Sequence, residues 1–414
     1  MADPPAHLGD AHNFGRRVSL RDGRVEKPRT LLWEWLLSSA ESPLRRRLDE
    51  AAERDGLGRE AFGFLPDLAF SDPHARDGGA VEQIALTPLA ALSADERGEL
   101  ARVVGRALAL FSWLGLSDLH WENLALGADA RGRFVFAPLD VEIILADLSL
   151  PTETKLLPDA DPEYAAISRH ACGVRRALPY LGKPVDAAAL VAMAAAYRTT
   201  LGLLDRHARA LADVFAQLPA VRQAPIRVCL RGTDEYVHAR TRPPWPPLLD
   251  AEIEQLDRGD IPYFFRLYGQ PGIHYYGDPS LEKVERLPLE GDVPQPDPIL
   301  SIARGLGSPT RKRLREEGLF TVLGAFDHEA LAGRHVSDGI EVTFTPRTIV
   351  VKPPKGEELH AHRDLGAFVG SVYLPCRCGE VLTPLVPRVT VCEAAPATVE
   401  RALRRRAAPR RRGR

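Results

Sequence analysis

Residues 116–126 read LSDLHWENLAL, an apolar stretch that carries Asp118, His120 and Asn123. Asp118 and His120 are two residues apart. On a helix they would project about 200° from each other, whereas in extended chain they point the same way. The segment therefore reads as a loop that follows an apolar helix ending near Gly115. Past an expected hairpin, Asp140 and Glu142 repeat the two-residue spacing in APLDVEIIL, which reads as a strand. Lys27 stands upstream on another expected hairpin. These residue types suit phosphoryl transfer. That chemistry needs a group to orient or deprotonate the attacking hydroxyl, oxygen ligands for Mg²⁺, and a cation on the nucleotide phosphates. Taken singly, Asp118 capping a turn and His120 buried in a core would be ordinary. With Lys27, Asp140 and Glu142 in this order, the phosphoryl-transfer reading is the stronger one.

The elements that must position these residues follow from local pattern. RRVSLRDGRVEKPR (16–29) reads as a β-hairpin turning at Asp22-Gly23. TLLWEWLLSS and PLRRRLDEAAERDG look helical, and 79–89 reads as a strand running into a loop. Ser93 and Glu96 form a capping box, after which apolar residues recur at helical spacing up to Gly115. Residues 186–218 are Ala- and Leu-rich and helical, and 225–240 is a strand leading into polar groups. The proline-rich stretch 287–300 is the best linker candidate. A helix at about 310–326 and a β-rich section, 340–393, follow. No internal repeat is visible.

Composition narrows the field. The 414 residues are 45% hydrophobic and 27% charged, as in globular chains long enough for two or three domains. A net charge of −2 selects neither nucleic acid nor a membrane as partner. No uninterrupted apolar run approaches the ~18 residues of a membrane span. The start, MADPPAHLGDAHN, lacks a secretory core, so a cytoplasmic location is expected. The five cysteines, at 172, 229, 376, 378 and 392, are too scattered for a disulfide framework. HAH (360–362), CRC (376–378) and Cys392 offer N and S ligands. Cys-x-Cys without a matching pair is weak zinc spacing, so these are read as strand residues needing no zinc. The Arg-rich end, 396–414, reads as a solvated tail. Only 7 of 54 cationic residues are lysines, so a lysine in a defined place draws notice.

Several motifs together resemble the dehydratase domain of class II lanthipeptide synthetases. Gly9-Asp10-Ala11-His12-Asn13-Phe14-Gly15-Arg16 resembles that family's GD-x-HN-x-GR opening. Lys27-Pro28-Arg29-Thr30-Leu31 resembles its Lys-containing strand, Asp118 to Asn123 its DLH-x-EN loop, and Asp140-Val141-Glu142 its DLE strand. Pro225, Arg227, Arg231, Thr233 and Tyr236 match P-x-R-x-x-x-R-x-T-x-x-Y, and Gly259 to Phe264 matches GDIPYF. The motifs run in family order over about residues 9–265.

The resemblance implies an α+β, two-lobed, lipid-kinase-like fold with an added helical elimination region and a small β-rich C-terminal region. It implies phosphorylation of Ser and Thr of a precursor peptide with ATP and Mg²⁺, then elimination of phosphate to leave dehydroamino acids. Lys27 would meet the ATP phosphates; Asp118 and His120 would orient and activate the substrate hydroxyl. Asn123 and Asp140 would ligate Mg²⁺, with Glu142 beside them. Arg227 and Thr233 would serve elimination, which His12 would join. A guanidinium suits a departing phosphate because it binds two oxygens at once. The expected organisation is a kinase-like N-lobe (1–89), a C-lobe with elimination region (90–286), a linker (287–300), a mixed α/β region of unassigned role (301–395) and the tail (396–414). The chain departs from the family pattern in several ways. It lacks the long helical region before the first motif, and the hairpin between His12 and Lys27 is shorter. The hairpin between Asn123 and Asp140 is longer, and Asp-Val-Glu replaces Asp-Leu-Glu. No zinc cyclase region is visible, so a separate cyclase or other modifying enzyme is the expected further partner. A peptide kinase without elimination, or an inactive peptide-binding module, would share the same fold.

Overall fold

The computed structural model describes residues 6–288 except 147, 149, 159–170, 240, 243, 245, 246 and 271, residues 309–363 except 327, 328, 347 and 355–357, and residues 372–373. Helices and antiparallel sheets both contribute, which makes this an α+β fold. The first sheet is ordered β1 (Ala6–His12), β2 (Arg16–Arg21), β3 (Arg24–Lys27), β5 (Gly79–Glu82), β4 (Phe70–Ser71). Asp22 (φ 50°) and Gly23 (φ 72°) close the expected hairpin, with Arg21 opposite Arg24. Both turn residues are left-handed, the twist that a two-residue hairpin loop requires. Lys27 pairs with Gly79 as the last residue of β3, because Pro28 cannot donate to a ladder.

Two helices, α1 (Leu32–Ser38) and α2 (Pro43–Arg54), follow β3 and pack on each other. Ser42 caps α2 by accepting from Arg45 N. The main core forms around α3 (Ala94–Trp113), which opens on the Ser93/Glu96 capping box. After a one-turn helix α4 (Leu178–Leu181) comes α5 (Ala187–Arg206), which lies against α3. Gly105 permits that approach, since a Cβ there would fall 2.2 Å from Met193 O. The α5 helix contains an 18-residue window of mean hydropathy 1.5, long and apolar enough to cross a membrane by composition; 72% of that window is buried inside the fold. Arg198, Thr199 and Thr200 interrupt its apolar residues, so the sequence holds no unbroken apolar run of span length there. A further helix, α6 (Ala208–Gln217), follows at His207.

At the far end of α3, Gly115 (φ 66°) stops the helix. A side chain there would meet Ala146 O at 2.2 Å, so only glycine lets the chain leave at this point. The loop 116–123 leads into the hairpin β6 (Leu124–Ala128) and β7 (Phe134–Pro138). Its longer tip is ordered by Asp129, whose carboxylate accepts from Arg131 N, Arg133 N and the Arg133 guanidinium. The expected strand through Asp140 and Glu142 is not formed: β7 ends at Pro138 and irregular backbone follows. Side chains and single backbone bonds from several elements capture this segment one residue at a time.

The second half adds a sheet ordered β11 (Val284–Arg286), β10 (His274–Tyr276), β9 (Phe264–Leu267), β8 (Pro225–Val228). Between β8 and β9 lie α7 (Thr233–His238) and α8 (Asp250–Asp257). Finally α9 (Pro309–Ala325) packs on α5. It precedes an antiparallel meander of β12 (Gly333–Ser337), β13 (Ile340–Phe344), β14 (Thr348–Lys352), β15 (Leu359–Arg363) and β16 (Val372–Tyr373). Phe320, Val342, Phe344 and Val351 belong to the same hydrophobic core as α3 and α5. Cys376, Cys378, Cys392, the linker beyond residue 288 and the Arg-rich tail lie outside the described residues. Of the HAH residues, His360 is buried with its Nε2 3.0 Å from Glu358.

Candidate active site

Lys27, at the end of β3, projects into a buried charge cluster. Its Nζ donates to Glu34 Oε1 (3.1 Å), Leu139 O (2.8 Å) and Asp140 Oδ1 (3.0 Å). Arg29 touches the same two carboxylates through its guanidinium, and its Nε lies 2.6 Å from Glu142 Oε1. The other Glu142 oxygen accepts from Arg227 at 2.5 Å. Arg227 sits on β8, and its backbone N–H bonds Glu142 O at 2.9 Å. A continuous chain of alternating charge thus runs Lys27–Asp140–Arg29–Glu142–Arg227, with Glu34 underneath.

Burial alone would push the carboxyls of Glu34 and Asp140 up. Arg29 and Lys27 outweigh it and hold both below the usual carboxylate range. Glu34 is fully packed inside α1, while the Asp140 side chain keeps 39% of its surface open. Asp140 Oδ2 has no partner among the described residues. Both Glu142 oxygens are engaged by guanidinium groups, so in this arrangement Glu142 bridges arginines and offers no open oxygen to a metal.

Asn123 is the second oxygen donor of the expected Mg²⁺ pair. Its backbone O accepts from Leu139 N at 2.8 Å, and its Nδ2 donates to Asp118 O at 2.9 Å. The β6–β7 register, Leu124 opposite Pro138, is what sets Asn123 beside Leu139 and Asp140. The Asn123 amide oxygen is unengaged among the described residues. Mg²⁺ keeps several waters and takes one or two protein oxygens plus substrate phosphates, so this donor pair fits it. Asp118 itself is left-handed (φ 64°) and 42% exposed, and Lys155 Nζ is 3.6 Å from its Oδ1. His120 caps the short turn Trp121–Asn123 and leaves Nε2 unengaged among the described residues.

Of the residues expected to serve elimination, His12 and Arg227 lie at this charge network. His12 Nδ1 donates to Ile261 O at 2.8 Å, leaving Nε2 as the acceptor of a neutral ring. Burial, and the neighbouring Arg227 charge, lower the His12 pKa. Tyr263 packs between them, 5.9 Å from the His12 ring and 5.5 Å beneath the Arg227 guanidinium. Burial works against the Arg227 charge, but Glu142 more than offsets it. Cys229, exposed at the surface yet crowded enough for burial to push its thiol up, feels Arg227, Asp118, Glu142 and Lys155 together. Thr233 is exposed as the first residue of α7 and has no side-chain partner among the described residues.

Sequence reasoning missed Glu34, Arg29 as a hub, and Asp260. Glu34 had a signal, being the one charge in TLLWEWLLSS. Asp260 accepts from Phe14 N (2.7 Å) and Gly15 N (2.8 Å), clamping the β1–β2 turn from about 246 residues away in sequence. That clamp, together with Ile261 N bonding Ala11 O at 2.9 Å, sets His12 against Arg227. No family model matches the chain, and no curated protein matches it.

Proposed function

We propose that this chain is a lanthipeptide-type dehydratase with a lipid-kinase-like core: it phosphorylates Ser and Thr of a precursor peptide with ATP, then eliminates phosphate. The observation that carries the reading is the Lys27–Asp140–Arg29–Glu142–Arg227 chain, which joins motifs scattered over the sequence into one ion-pair network. Lys27, steadied by Glu34 in the manner of the kinase lysine–glutamate pair, is the cation for the nucleotide phosphates. Asn123 and Asp140 would hold Mg²⁺, which when bound neutralises charge on the phosphates. Asp118 accepts the substrate hydroxyl proton as the oxygen–phosphorus bond forms, and ADP departs with the electron pair of the broken bond. For elimination, Arg227 offers N–H groups beyond the one spent on Glu142, and a phosphate oxygen pair matches that fork. His12, held neutral, is suited to take the Cα proton as the carbon–oxygen bond to phosphate breaks. The setting is cytoplasmic, with a separate enzyme closing rings.

A second reading, a peptide kinase without elimination, is favoured by Thr233, which is exposed and has no side-chain partner among the described residues. Co-expression with a Ser- and Thr-rich precursor peptide, followed by mass spectrometry, decides between them. Losses of water are expected from the wild type and phosphopeptide from Arg227→Ala. Phosphopeptide alone from the wild type would give the case to the kinase, and unmodified peptide from both would sink the proposal.

A further inference from the structure

Tyr263 lies between His12 and Arg227, the two residues placed in elimination. The β8–β9 register explains how it comes there. Arg227 stands opposite Phe265 and Val228 opposite Phe264, and Tyr263 continues the second strand by one residue. Cross-strand partners share a face, and so do residues two apart in extended chain. Arg227, Phe265 and Tyr263 therefore look the same way. The Tyr263 ring sits 5.5 Å from the Arg227 guanidinium carbon and 5.9 Å from the His12 ring. Its backbone is fastened: Tyr263 N donates to Oε1 of the buried Gln255 at 2.8 Å. His12 is tied to the same short segment, since its Nδ1 donates to Ile261 O at 2.8 Å.

The ring is 4% exposed and packs with Phe265, Tyr276 and Leu281. Its hydroxyl makes no hydrogen bond among the described residues. Nor is it one of the polar atoms that are both unbonded and sealed from solvent, so a small opening reaches it. A buried tyrosine normally spends its hydroxyl on a partner, because an unpaired one costs free energy. Packing accounts for the ring and leaves the hydroxyl unexplained, since phenylalanine would fill the same space. A phenol keeps its proton near neutral pH and so is a donor there. A guanidinium and a phenol donor on one face suit an anion with several acceptor oxygens, and a phosphate monoester is such an anion.

We propose that Tyr263 is a further catalytic residue, whose hydroxyl donates a hydrogen bond to the phosphate that departs against Arg227. This rests on the dehydratase reading above. In the step it serves, His12 Nε2 takes the Cα proton, and the electron pair of that bond forms the Cα–Cβ double bond. The bond from Cβ to the phosphate oxygen breaks, and the oxygen keeps its electron pair. Tyr263 retains its own proton throughout and stabilises the charge that grows on the departing oxygen.

The probe is a synthetic peptide carrying one phosphoserine, mixed with the full chain, with release of inorganic phosphate followed by ³¹P NMR. Tyr263→Phe keeps the ring and removes the hydroxyl. Elimination is expected to slow about ten- to hundredfold, the range for one hydrogen bond to a charged group. The loss should fall on kcat rather than KM, because the charge develops only as the bond breaks. The melting midpoint of Tyr263→Phe should stay level or rise, since the hydroxyl has no protein partner to lose. Equal rates in the two proteins, a loss confined to KM, or a lowered midpoint each overturns the proposal. The wild type separates the two failures. If it releases phosphate and Tyr263→Phe keeps pace, only Tyr263 falls. If it releases none, the elimination reading falls as well.

Discussion

Arg227 and Arg231 stand four residues apart in one motif, and the fold puts them to different uses. Arg231 is 2% exposed against Glu252, which is fully buried. Its Nε meets Glu252 Oε1 at 2.9 Å and another guanidinium nitrogen meets Pro247 O at 2.8 Å. Tyr236 OH and Leu249 N complete the Glu252 shell at 2.7 Å each. Arg231, Tyr236 and Leu249 all donate into this buried corner, which fastens α7 to α8. Arg227 is 18% exposed and gives one nitrogen to Glu142, which Arg29 also holds. Arg231 is sealed among buried protein acceptors, whereas Arg227 is partly open and is held by one carboxylate that it shares with Arg29. Two residues of one motif therefore need not share a role, and burial separates the two.

The largest effect that tests this contrast is on stability. Glu252→Ala leaves the Arg231 charge buried without its carboxylate, which typically costs about 3–5 kcal/mol. A matching fall in the urea midpoint is expected, and the double variant Arg231→Met/Glu252→Leu should recover most of it. A midpoint unchanged in Glu252→Ala would break the comparison. Arg227→Ala should destabilise less, by about 1–2 kcal/mol, since Glu142 keeps Arg29 as partner. Equal losses at the two arginines in the same denaturation series would erase the distinction.

The smallest effect is a pH slope from His12. Its folded pKa lies below the ordinary value near 6.5, through burial and then Arg227. Below about pH 6.5 the unfolded chain binds a proton that the folded ring refuses, so stability is full above that pH and declines as pH falls. Denaturation curves at intervals from pH 7.5 to pH 5 should show this slope in the wild type and a shallower one in His12→Asn. Identical slopes would remove His12 from the buried cluster around Arg227.

Much of the local architecture was legible in the chain. The Asp22-Gly23 turn, the Ser93/Glu96 capping box, the helix stop at Gly115 and the β6–β7 hairpin are each specified by a few neighbouring residues. So was the order of the candidate residues Lys27, Asp118, Asn123, Asp140 and Arg227. The strand expected through Asp140 and Glu142 failed because alternation of apolar and polar residues also suits a segment whose polar side chains are taken up individually. Val141 N turns to Glu34 Oε1 at 3.4 Å, and Glu142 O takes Arg227 N in place of a regular ladder.

Sequence by itself determined which chemical groups this protein has and which short elements carry them, because turns, caps and helix stops depend on residues a few positions apart. Only the tertiary structure decided which charges meet. Glu34 looks like any helix carboxylate until Lys27 and Arg29 close on it, and Asp260 like any turn aspartate until it seizes the backbone at Phe14 and Gly15. Ion pairs and single hydrogen bonds have no periodicity to betray them. Their partners lie anywhere from 5 to 246 residues away, and the packing of α1, β8 and the irregular segment after β7 brings them within reach.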